Sequence, residues 1–513
     1  MKTLLPEAEG NLGNQRVSAI RLLLPEGRLQ RWHATLFDAL VRDGHRVAVE
    51  LRAMNERPRT ALLLVEQLER LLYERGRASS CDQIPSGEWT SSREMISADV
   101  IFDLTGAMEP TEGAIAPSYD GLFGDVSRDS ALLEGRAPEI ALTLVSSHQA
   151  YVLARGRPAI ERPQVFVRGK SAIADRIATL IRGVARQRAL HPVPASLRPD
   201  AGGSRPLAFV LQGVASLARR RLARLVAREG HWRVGWRSLE GTPSVVEAQA
   251  WPSGAPWRWL RDDGRRYFAD PFLFHENGTT YVFCEEFPYA TAKGLISVFT
   301  LDAAGRPSAP RVALEQSYHL SYPQVFRHGG KIWMMPESSA NRTLELYVAE
   351  SFPDRWKLHS VLLADLSLSD ATAFEHDERW WLTATTNERD TSTWDCLSLF
   401  SGPSPVGPWS RSGDLPILVD ASAARPAGQV VSRGGALWRP AQDCTRGYGS
   451  GLALCRIDEL RDGVLRQSVV RRLGPPAGAP DQGVHTLNSD ERFEVIDAVG
   501  QMTRARFGGK DAA

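Results

Sequence analysis

Cysteine and long apolar runs are scarce in this sequence of 513 residues. The five cysteines are scattered without a CxxC pair, so neither a zinc knuckle nor a disulfide framework is predicted. No run approaches the roughly 18 apolar residues of a membrane-spanning helix, so no such helix is predicted. These absences leave an ordinary globular chain, long enough for two or three domains with full cores.

Charge clusters and ligand motifs are also missing. Only six of the 62 basic residues are lysine, acids number 60, and no basic run stands out, so nucleic-acid binding is not expected. The sequence contains no GxGxxG motif and no P-loop that would name a ligand, and neither a cofactor nor a metal is predicted. The opening residues lack a signal-peptide pattern, which predicts a cytoplasmic protein.

The first part of the chain has the alternating pattern of an α/β domain. A strand over Val17–Leu24, a helix over Gln30–Arg42 that stops at Asp-Gly, and a strand over Val47–Leu51 form a βαβ unit. The apolar runs Ala98–Gly106 and Ala137–Ser147 are typical of buried parallel strands. Residues 1–188 are therefore predicted to form an α/β open-sheet (Rossmann-like) domain. An amphipathic helix is expected within it, with one apolar stripe made of Leu63, Leu64, Leu68, Leu71 and Leu72.

Residues 189–265 have the composition of a linker, rich in proline, tryptophan and arginine. Within them "SLARRRLARLVAREG" predicts an amphipathic helix. Such a helix either docks between domains or lies on an anionic membrane surface. The short apolar stripe favours docking, and peripheral membrane contact is the alternative.

Beyond Tyr267 short β-type runs alternate with turn residues. Five segments there share one hairpin pattern, at intervals of 48 to 58 residues, and begin at Asp270, Tyr322, Asp370, Ala427 and His485. Each interval has room for four strands, which predicts a five-bladed β-propeller over 266–505, with a disordered tail over 506–513. A single twisted sandwich is the alternative, because irregular strands can mimic a repeat.

The hairpin turns predict which residues face each other. In a hairpin centred between residues 277 and 278, Asp270 pairs with Glu285, and their side chains share one face about 5 Å apart. The same arithmetic pairs Tyr322 with Glu337, and Asp370 with Thr385.

The open ends of all five hairpins are expected on one rim of the central channel. The predicted cluster gathers acids, amides and rings: Asp270, Glu285, Tyr322, Glu337, Asp370, Arg439, Gln442, Asp443, His485 and Asn488. Carboxylates crowded at one mouth push their pKa values apart, as acid/base chemistry requires.

Aromatic side chains are predicted on the same rim, where they would hold sugars: Trp333, Trp380, Trp381 and Trp438. Turn chemistry alone also places Asp, Asn and Gly at hairpin ends. The recurrence of acids at one register favours a site.

Several motifs carry a family resemblance. The segments "FADPFLF…NGTTYVFCEE", "SYPQVFRHGGKIWMMPES", "LSDATAFEHDERWWLTATT", "RPAGQVV…GGALWRPAQDC…YGSGLALCRI" and "GVHTLNS…FEVIDA" resemble the N-terminal propeller domain of plant glucosamine inositolphosphorylceramide transferases and their bacterial relatives. The resemblance covers about residues 260–500. That domain in turn resembles five-bladed furanosidase-type glycoside hydrolases. In the plant enzymes the sugar transfer is attributed to a separate C-terminal domain.

The furanosidase-type resemblance implies three working acids. Asp270 matches the base or nucleophile of the first blade, Glu337 is the candidate general acid, and Asp370 is the candidate partner that tunes its pKa. Here Glu precedes Asp in blade order, which departs from the hydrolase pattern. The remaining residues of the cluster are predicted to bind substrate.

The first domain more loosely resembles formyltransferase-like proteins, through "LQRWHATLFDALVRDGHRVAVEL" and "APSYDGLFGDVSRDSALLEGRAPEIALTLV". Those enzymes use an Asn, a His and an Asp around the formyl carbon. Tyr119 and Asp120 stand where the Asn and His are expected, which implies that formyl transfer is lost. The domain would then bind a nucleotide or serve as a scaffold.

Three functions remain open at this point. The first is an enzyme that acts on or transfers a sugar of a cell-surface glycan or glycolipid. The second is a non-catalytic glycan-binding protein in polysaccharide or glycolipid assembly. The third, sugar N-formylation, has the missing Asn and His against it.

Overall fold

The computed structural model describes residues 17–53, 60–74, 78–85, 97–146, 149–186, 193–196, 206–254, 256–387, 391–480 and 482–503. The chain forms two compact units, Met1–Leu217 and Ala218–Ala513. The tail predicted over 506–513 lies outside the described residues.

The first unit is an eight-stranded sheet with helices. Its elements are β1 (Ala19–Pro25), α1 (Arg31–Arg42), β2 (Arg46–Arg52), α2 (Thr60–Glu69, continued by a π-helical turn over Arg70–Glu74), β3 (Val100–Asp103), β4 (Ile115–Tyr119), β5 (Leu122–Phe123), α3 (Asp125–Leu133), β6 (Ile140–Val145), β7 (Ala150–Gly156), α4 (Phe166–Arg186), β8 (Val193–Pro194) and α5 (Pro206–Val226).

The strand order is β2-β1-β3-β4-β6-β7-β8, with β5 paired to β4. Strands β1, β2, β3 and β4 are parallel, as predicted for the βαβ unit and for Ala98–Gly106. The prediction for Ala137–Ser147 is wrong in direction, because β6 runs antiparallel to β4. A continuous apolar run indicates that both faces of a strand are buried. Parallel and antiparallel strands can both be buried in this way, so the run does not predict the strand direction. The sheet is open and mixed, and an all-parallel Rossmann-like arrangement is not shown.

Helix α2 does not bury the predicted leucine stripe. All five leucines are exposed: Leu63, Leu64, Leu68, Leu71 and Leu72. Leu62, Val65 and Glu69 face inward instead, and Glu69 Oε2 accepts a hydrogen bond from the backbone N–H of Val167 at 2.9 Å. That bond satisfies a donor in the first turn of α4, which an intrahelical carbonyl cannot reach. The inward face of α2 thus includes a polar contact, which the periodicity of apolar residues does not predict.

Helix α5 packs through its first turns and leaves an apolar stripe outside. The ring of Phe209 is buried, 6.4 Å from the ring of Phe166. Leu211, Val214 and Leu222 are exposed, and they lie within about 80° of one another around the helix. Among the described residues, no helix is long and apolar enough to cross a membrane.

The second unit consists of β-strands with one short helix. Its elements are β9 (Ala227–Ser238), α6 (Val245–Ala248), β10 (Arg258–Trp259), β11 (Arg266–Glu276), β12 (Thr279–Pro288), β13 (Leu295–Leu301), β14 (Arg311–Leu314), β15 (Ser321–His328), β16 (Lys331–Ser338), β17 (Thr343–Ser351), β18 (Arg355–Ala364), β19 (Ser367–His376), β20 (Arg379–Asn387), β21 (Cys396–Gly402), β22 (Ser410–Arg411), β23 (Leu418–Val419), β24 (Val431–Arg433), β25 (Ala436–Asp443), β26 (Gly451–Arg461), β27 (Val464–Leu473), β28 (Leu487–Ser489) and β29 (Phe493–Thr503).

These strands form five sheets, which confirms the five-bladed β-propeller and excludes the sandwich. Four blades are consecutive: β11 to β14, β15 to β18, β19 to β22 with β23, and β24 to β27. The fifth has the order β10-β9-β29-β28, so the first and last strands of the propeller share one sheet. The predicted boundary at residue 266 is therefore too late, because β9 and β10 belong to the ring.

The apolar core lies between neighbouring blades. One buried cluster fills each of the five blade interfaces. Trp333, Trp381 and Trp438 are buried in these clusters, and each indole N–H donates to the carbonyl oxygen five residues earlier in the chain. Trp380 packs, partly buried, against one of the clusters. These four tryptophans pack between neighbouring blades. The prediction that they line the rim is therefore wrong.

Candidate active site

The first strands of the first three blades, β11, β15 and β19, share one backbone irregularity. Each has a β-bulge in which one residue adopts a positive φ: Asp270 at 51°, Tyr322 at 47° and Asp370 at 54°. This region is sparsely populated by residues other than glycine, and it is tolerated where surrounding structure fixes the backbone. A bulge bends the strand and re-aims a side chain, and it commonly does so near functional sites.

The bulges correct the predicted pairing. Glu285 pairs with Ala269, Glu337 with Ser321, and Thr385 with Ser369, so Asp270, Tyr322 and Asp370 fall one residue past the directly paired position. The arithmetic assumed a regular ladder, and a bulge inserts one unpaired residue. All three bulge side chains are nonetheless buried where the inner strands converge.

Asp270 is held by groups from two other blades. Its Oδ1 accepts a hydrogen bond from Thr486 Oγ1 at 3.0 Å, and its Oδ2 accepts one from the backbone N–H of Tyr322 at 3.3 Å. Its own backbone N–H donates to Asp497 Oδ2 at 2.9 Å. The carboxylate is thus oriented by blade two on one side and blade five on the other.

His485 lies between two carboxylates. Its Nε2 is 3.4 Å from Asp270 Oδ1, and its Nδ1 is 2.7 Å from Asp497 Oδ2. The ring stacks on Trp232 with centroids 3.9 Å apart. Burial by itself would lower the pKa of His485, but the negative charges of Asp497 and Asp270 raise it above the usual value. The imidazole therefore favours its protonated form.

Asp370 is the centre of a second polar group. Its Oδ2 accepts hydrogen bonds from Arg425 Nε at 2.6 Å and from Gln442 Nε2 at 2.7 Å. Its backbone N–H donates to Glu337 Oε2 at 2.9 Å, and Arg425 Nη2 lies 3.9 Å from the same oxygen. Arg425 is itself buried, and its positive charge compensates negative charge on both carboxyls.

The fold changes the protonation of several of these carboxyls. Burial, with the negative charge of Asp370, raises the pKa of Glu337 to about 8. Burial also raises the pKa of Asp270 to about 7, against the opposing effect of His485. The pKa of Glu285 is raised well above its usual value by burial and by the charges of Asp270 and Glu337. At neutral pH Glu337 and Glu285 therefore favour their protonated forms, and Glu337 does so beside Asp370, whose carboxyl group accepts a hydrogen bond from Arg425.

One side of the site is aromatic. Tyr448 is 39% exposed, and its ring lies 5.3 Å from that of His485, 5.7 Å from that of Trp394 and 5.1 Å from the guanidinium carbon of Arg425. Aromatic faces beside planar polar groups offer both stacking and hydrogen bonds to a ligand.

Within the described residues, Asp270, His485 and Asp497 form the one group with metal-ligand spacing. Their ligand atoms lie within 4.8 Å of one another. The contacts of His485 with both carboxylates give each of these three residues a partner within the group.

The propeller region is similar to proteins that are already known. Residues 248–472 match the family model described as glucosamine inositolphosphorylceramide transferase 1, N-terminal. The propeller resembles that region of the transferase. The matched segment contains Asp270, Glu337, Asp370 and Arg425, and it ends before His485.

Two plant transferases of that name are similar to this chain. The protein of Oryza sativa subsp. japonica is 33% identical over 251 residues, which are 45% of this chain and 34% of the relative. The protein of Arabidopsis thaliana is 32% identical over 234 residues, 44% of this chain and 29% of the relative. The chain thus spans about a third of the length of the curated relatives it matches.

Solved structures to which this chain is similar include glycoside hydrolases. The GH43 β-xylosidase/α-arabinofuranosidase CoXyl43 from a compost metagenome is 12% identical, with a TM-score of 0.35, and the match covers 46% of this chain and 91% of that one. RS223-β-xylosidase is 12% identical with a TM-score of 0.34, covering 42% and 80%. The five-bladed architecture itself follows from the strand order given above.

The other predicted residues of this transferase-like propeller have defined places. Glu285 is buried, with Tyr267 Oη at 3.4 Å and His319 Nε2 at 3.4 Å from its Oε1. Tyr322 is buried, and its Oη accepts a hydrogen bond from the backbone N–H of Gly428 at 2.5 Å. Both therefore belong to the interior of the site.

Three predicted substrate ligands bond to the protein itself. Arg439 is buried and donates to the carbonyl oxygens of Ala423 and Ala424. Asn488 Nδ2 donates to the carbonyl oxygen of Pro271 at 2.8 Å, and Asp443 Oδ2 accepts from Arg472 at 3.0 Å. The structure brings none of these three side chains to the carboxyls of Asp270 or Asp370, and their substrate contacts stay a prediction.

Several members of the site are not predicted from the sequence: Trp232, Thr393, Arg425, Tyr448, Thr486, and Asp497 as a hydrogen-bond partner of Asp270. Arg425 and Tyr448 lie in loops of the fourth blade, outside the hairpin pattern. Thr486 follows His485 directly, so its hydroxyl group next to a predicted site residue could have indicated that it belongs to the site. Trp232 lies in β9, which had been assigned to the linker.

Proposed function

We propose that this protein acts on, or transfers, a sugar of a cell-surface glycan or glycolipid at the propeller axis. The observation that carries the proposal is the contrast between Glu337, whose pKa is raised to about 8, and Asp370, whose carboxylate accepts hydrogen bonds from Arg425 and Gln442. A carboxyl that keeps its proton, beside a second carboxyl that is hydrogen-bonded to a guanidinium group, is suited to acid/base chemistry at a glycosidic bond.

In this mechanism Glu337 donates its proton to the glycosidic oxygen as the bond to the anomeric carbon breaks. Asp270 acts on the opposite side as the base for an incoming hydroxyl or as the nucleophile. Asp370 is held by Arg425 and Gln442, and its negative charge raises the pKa of Glu337, which favours the protonated form of Glu337. Tyr448 at the mouth stacks against the sugar ring.

Similarity to the plant transferases supports the substrate class. Their name specifies glucosamine and inositolphosphorylceramide, so the proposed ligand is a sugar of a lipid-linked glycan. The exposed stripe of α5 supports peripheral contact with a membrane that carries such a lipid. Four arginines and no acid stand between residues 206 and 226, and Arg219 and Arg221 are exposed beside the stripe.

Glu337→Gln and Asp270→Asn test the proposal on a panel of glycans and glycolipids. Each substitution keeps the shape of the side chain and removes its acid/base chemistry. We expect sugar binding to persist, while turnover falls by about 100-fold or more. Glu350→Gln, a change at an exposed carboxyl, is the matched control and should process substrate as the unchanged protein does.

A non-catalytic glycan-binding role is the second candidate, and burial favours it. Asp270, Glu285 and Asp370 are each at most 5% exposed, which leaves little of their surface open to a reacting sugar. Sugar binding without turnover by the unchanged protein would support this role. Neither binding nor turnover anywhere on the panel would reject both candidates.

A further inference from the structure

The first unit contains a cavity of about 790 Å³ that the propeller function does not use. Its wall includes Gly27 just after β1, the loop from Leu104 that follows β3, and residues of α3 and α4. From β1 the chain passes to β2 on one side and later to β3 on the other. The carboxyl ends of β1 and β3 therefore flank a topological switch point, which is where open α/β sheets bind ligands.

Hydrogen bonds from side chains fix part of the cavity wall. Asp103 accepts hydrogen bonds from the backbone N–H and hydroxyl groups of Thr105 and Thr111, which fixes the loop after β3. Gly106 in that loop has φ 78°, and a Cβ there would lie 2.7 Å from the Asp125 side chain. The cavity wall is thus a built part of the fold, with a volume in the range of small-molecule sites.

Positive and negative charges nearly balance around the cavity. Arg128 pairs with Asp125 and with Asp129 at 2.7 Å each, and Lys170 Nζ pairs with Glu66 at 2.6 Å. Four carboxyls face three cationic side chains around the cavity: Glu66, Asp103, Asp125, Asp129, Arg28, Arg128 and Lys170. A phosphate or polyphosphate would meet cations that carboxylates already neutralise, so charge favours a neutral ligand.

His33 supplies a donor that the protein leaves unused. It is 2% exposed, and its Nδ1 accepts a hydrogen bond from the backbone N–H of Gln30 at 3.1 Å. Burial lowers the pKa of His33 to about 3, so the ring is neutral and carries its proton on Nε2. Within the described residues that N–H has no hydrogen-bond partner, and His33 lines the cavity. Because the His33 ring lines the cavity, a ligand or water in the cavity can accept this hydrogen bond.

We propose that this cavity binds a neutral polyhydroxylated ligand of monosaccharide or disaccharide size, with a hydroxyl or ring oxygen on His33 Nε2–H. Hydroxyl groups both donate and accept. The carboxylates and cations of the wall offer both kinds of partner with little excess charge. Trp32 and Tyr119 provide apolar faces for the ring. Asp120, the other residue that marks the formyltransferase resemblance, turns instead to Arg136 and to the backbone N–H of Glu139.

The test follows the imidazole nitrogens of His33 by NMR in the full chain labelled with ¹⁵N-histidine. Neutral monosaccharides, adenosine 5′-diphosphate, folate and inorganic phosphate are titrated separately. We expect the His33 Nε2 signal to shift with a neutral sugar and to stay unchanged with the charged probes. This readout is specific to the first unit, so its result is independent of sugar binding at the propeller axis.

Two substitutions sharpen the test. His33→Asn keeps an acceptor for the Gln30 N–H and loses the Nε2 donor, so sugar affinity at this site should fall about three- to tenfold, the contribution of one neutral hydrogen bond. His45→Asn, at a buried histidine of the same unit outside the cavity wall, is the matched control and should leave affinity unchanged. Thermal melting verifies that both variants fold. Shifts with adenosine diphosphate, phosphate or folate, or none with any neutral sugar, would overturn the proposal.

Discussion

At the scale of single residues, the chemistry of the axis depends on which carboxyls keep a proton. Glu337 and Asp270 are buried near other acids, and both titrate several pH units above their ordinary values. His485 shifts upward as well, because Asp497 and Asp270 outweigh its burial. In all three groups the folded protein binds a proton more tightly than the unfolded chain does.

This difference predicts how stability depends on pH. The unfolded chain releases the carboxyl protons near pH 4, whereas the folded protein keeps them up to about pH 7 for Asp270 and about pH 8 for Glu337. Stability from the protonated forms is therefore complete below about pH 4 and is lost as the pH rises to about 8. We expect the propeller's free energy of unfolding to fall by a few kcal/mol across this window.

Urea unfolding at a series of pH values measures this slope. Glu337→Gln should flatten it, because glutamine still accepts the Asp370 N–H and does not titrate. Glu350→Gln should leave the slope as it is, since that carboxyl is exposed. Stability that is constant or rises between pH 5 and 8 would contradict the raised pKa values.

At the scale of elements, a repeated hairpin with a bulge positions the site. Bulges at equivalent places in three blades turn Asp270, Tyr322 and Asp370 toward the axis, and tryptophans on the second strands join the blades. The hairpin turns and strand runs were readable from the sequence. The bulges were not, since an extra residue in a ladder leaves the apolar alternation almost unchanged over a short strand.

The prediction at the scale of elements concerns membrane binding by helix α5. Leu211 and Leu222 lie on its exposed stripe, beside Arg219 and Arg221. We expect the full chain to bind vesicles that contain anionic lipid, and to bind less as salt concentration rises, because the attraction is partly electrostatic.

Replacing both leucines, Leu211→Gln with Leu222→Gln, should reduce vesicle binding about tenfold, as measured by co-sedimentation. Leu358→Gln, at an exposed leucine of β18, is the matched control. Equal binding of all three proteins, or equal binding to neutral vesicles, would show that the stripe does not contact membranes and would favour docking of the helix on protein.

At the scale of the whole molecule, the propeller is closed by strands from both ends of its segment. Strands β9 and β29 pair from Ala227↔Thr503 to Ser238↔Phe493. One buried cluster joins this blade to the first, and another joins it to the fourth. The ring is thus complete only when residues 227–238 and 493–503 are both present.

Removal of β9 should therefore open the ring. A chain that starts at Ala218 keeps every strand of the propeller and should unfold cooperatively, as followed by circular dichroism. A chain that starts at Leu239 lacks β9 and loses the buried side chains of Val234 and Trp236. We expect its melting temperature to fall by at least 15 °C, or its cooperative transition to disappear. Similar melting of the two chains would show that β9 is dispensable.

The sequence by itself determined the repeat, the hairpin turns and the acids at the hairpin ends, because these depend on local turn chemistry and on periodicity. It also determined the parallel start of the first sheet. Only the tertiary structure decided the strand that closes the ring, the direction of β6 and the inward face of α2. It also decided the partners of the acids, such as Arg425 and Thr486, which lie 55 and 216 residues away from Asp370 and Asp270. Contacts between distant segments form where the chain packs, and no local pattern records them.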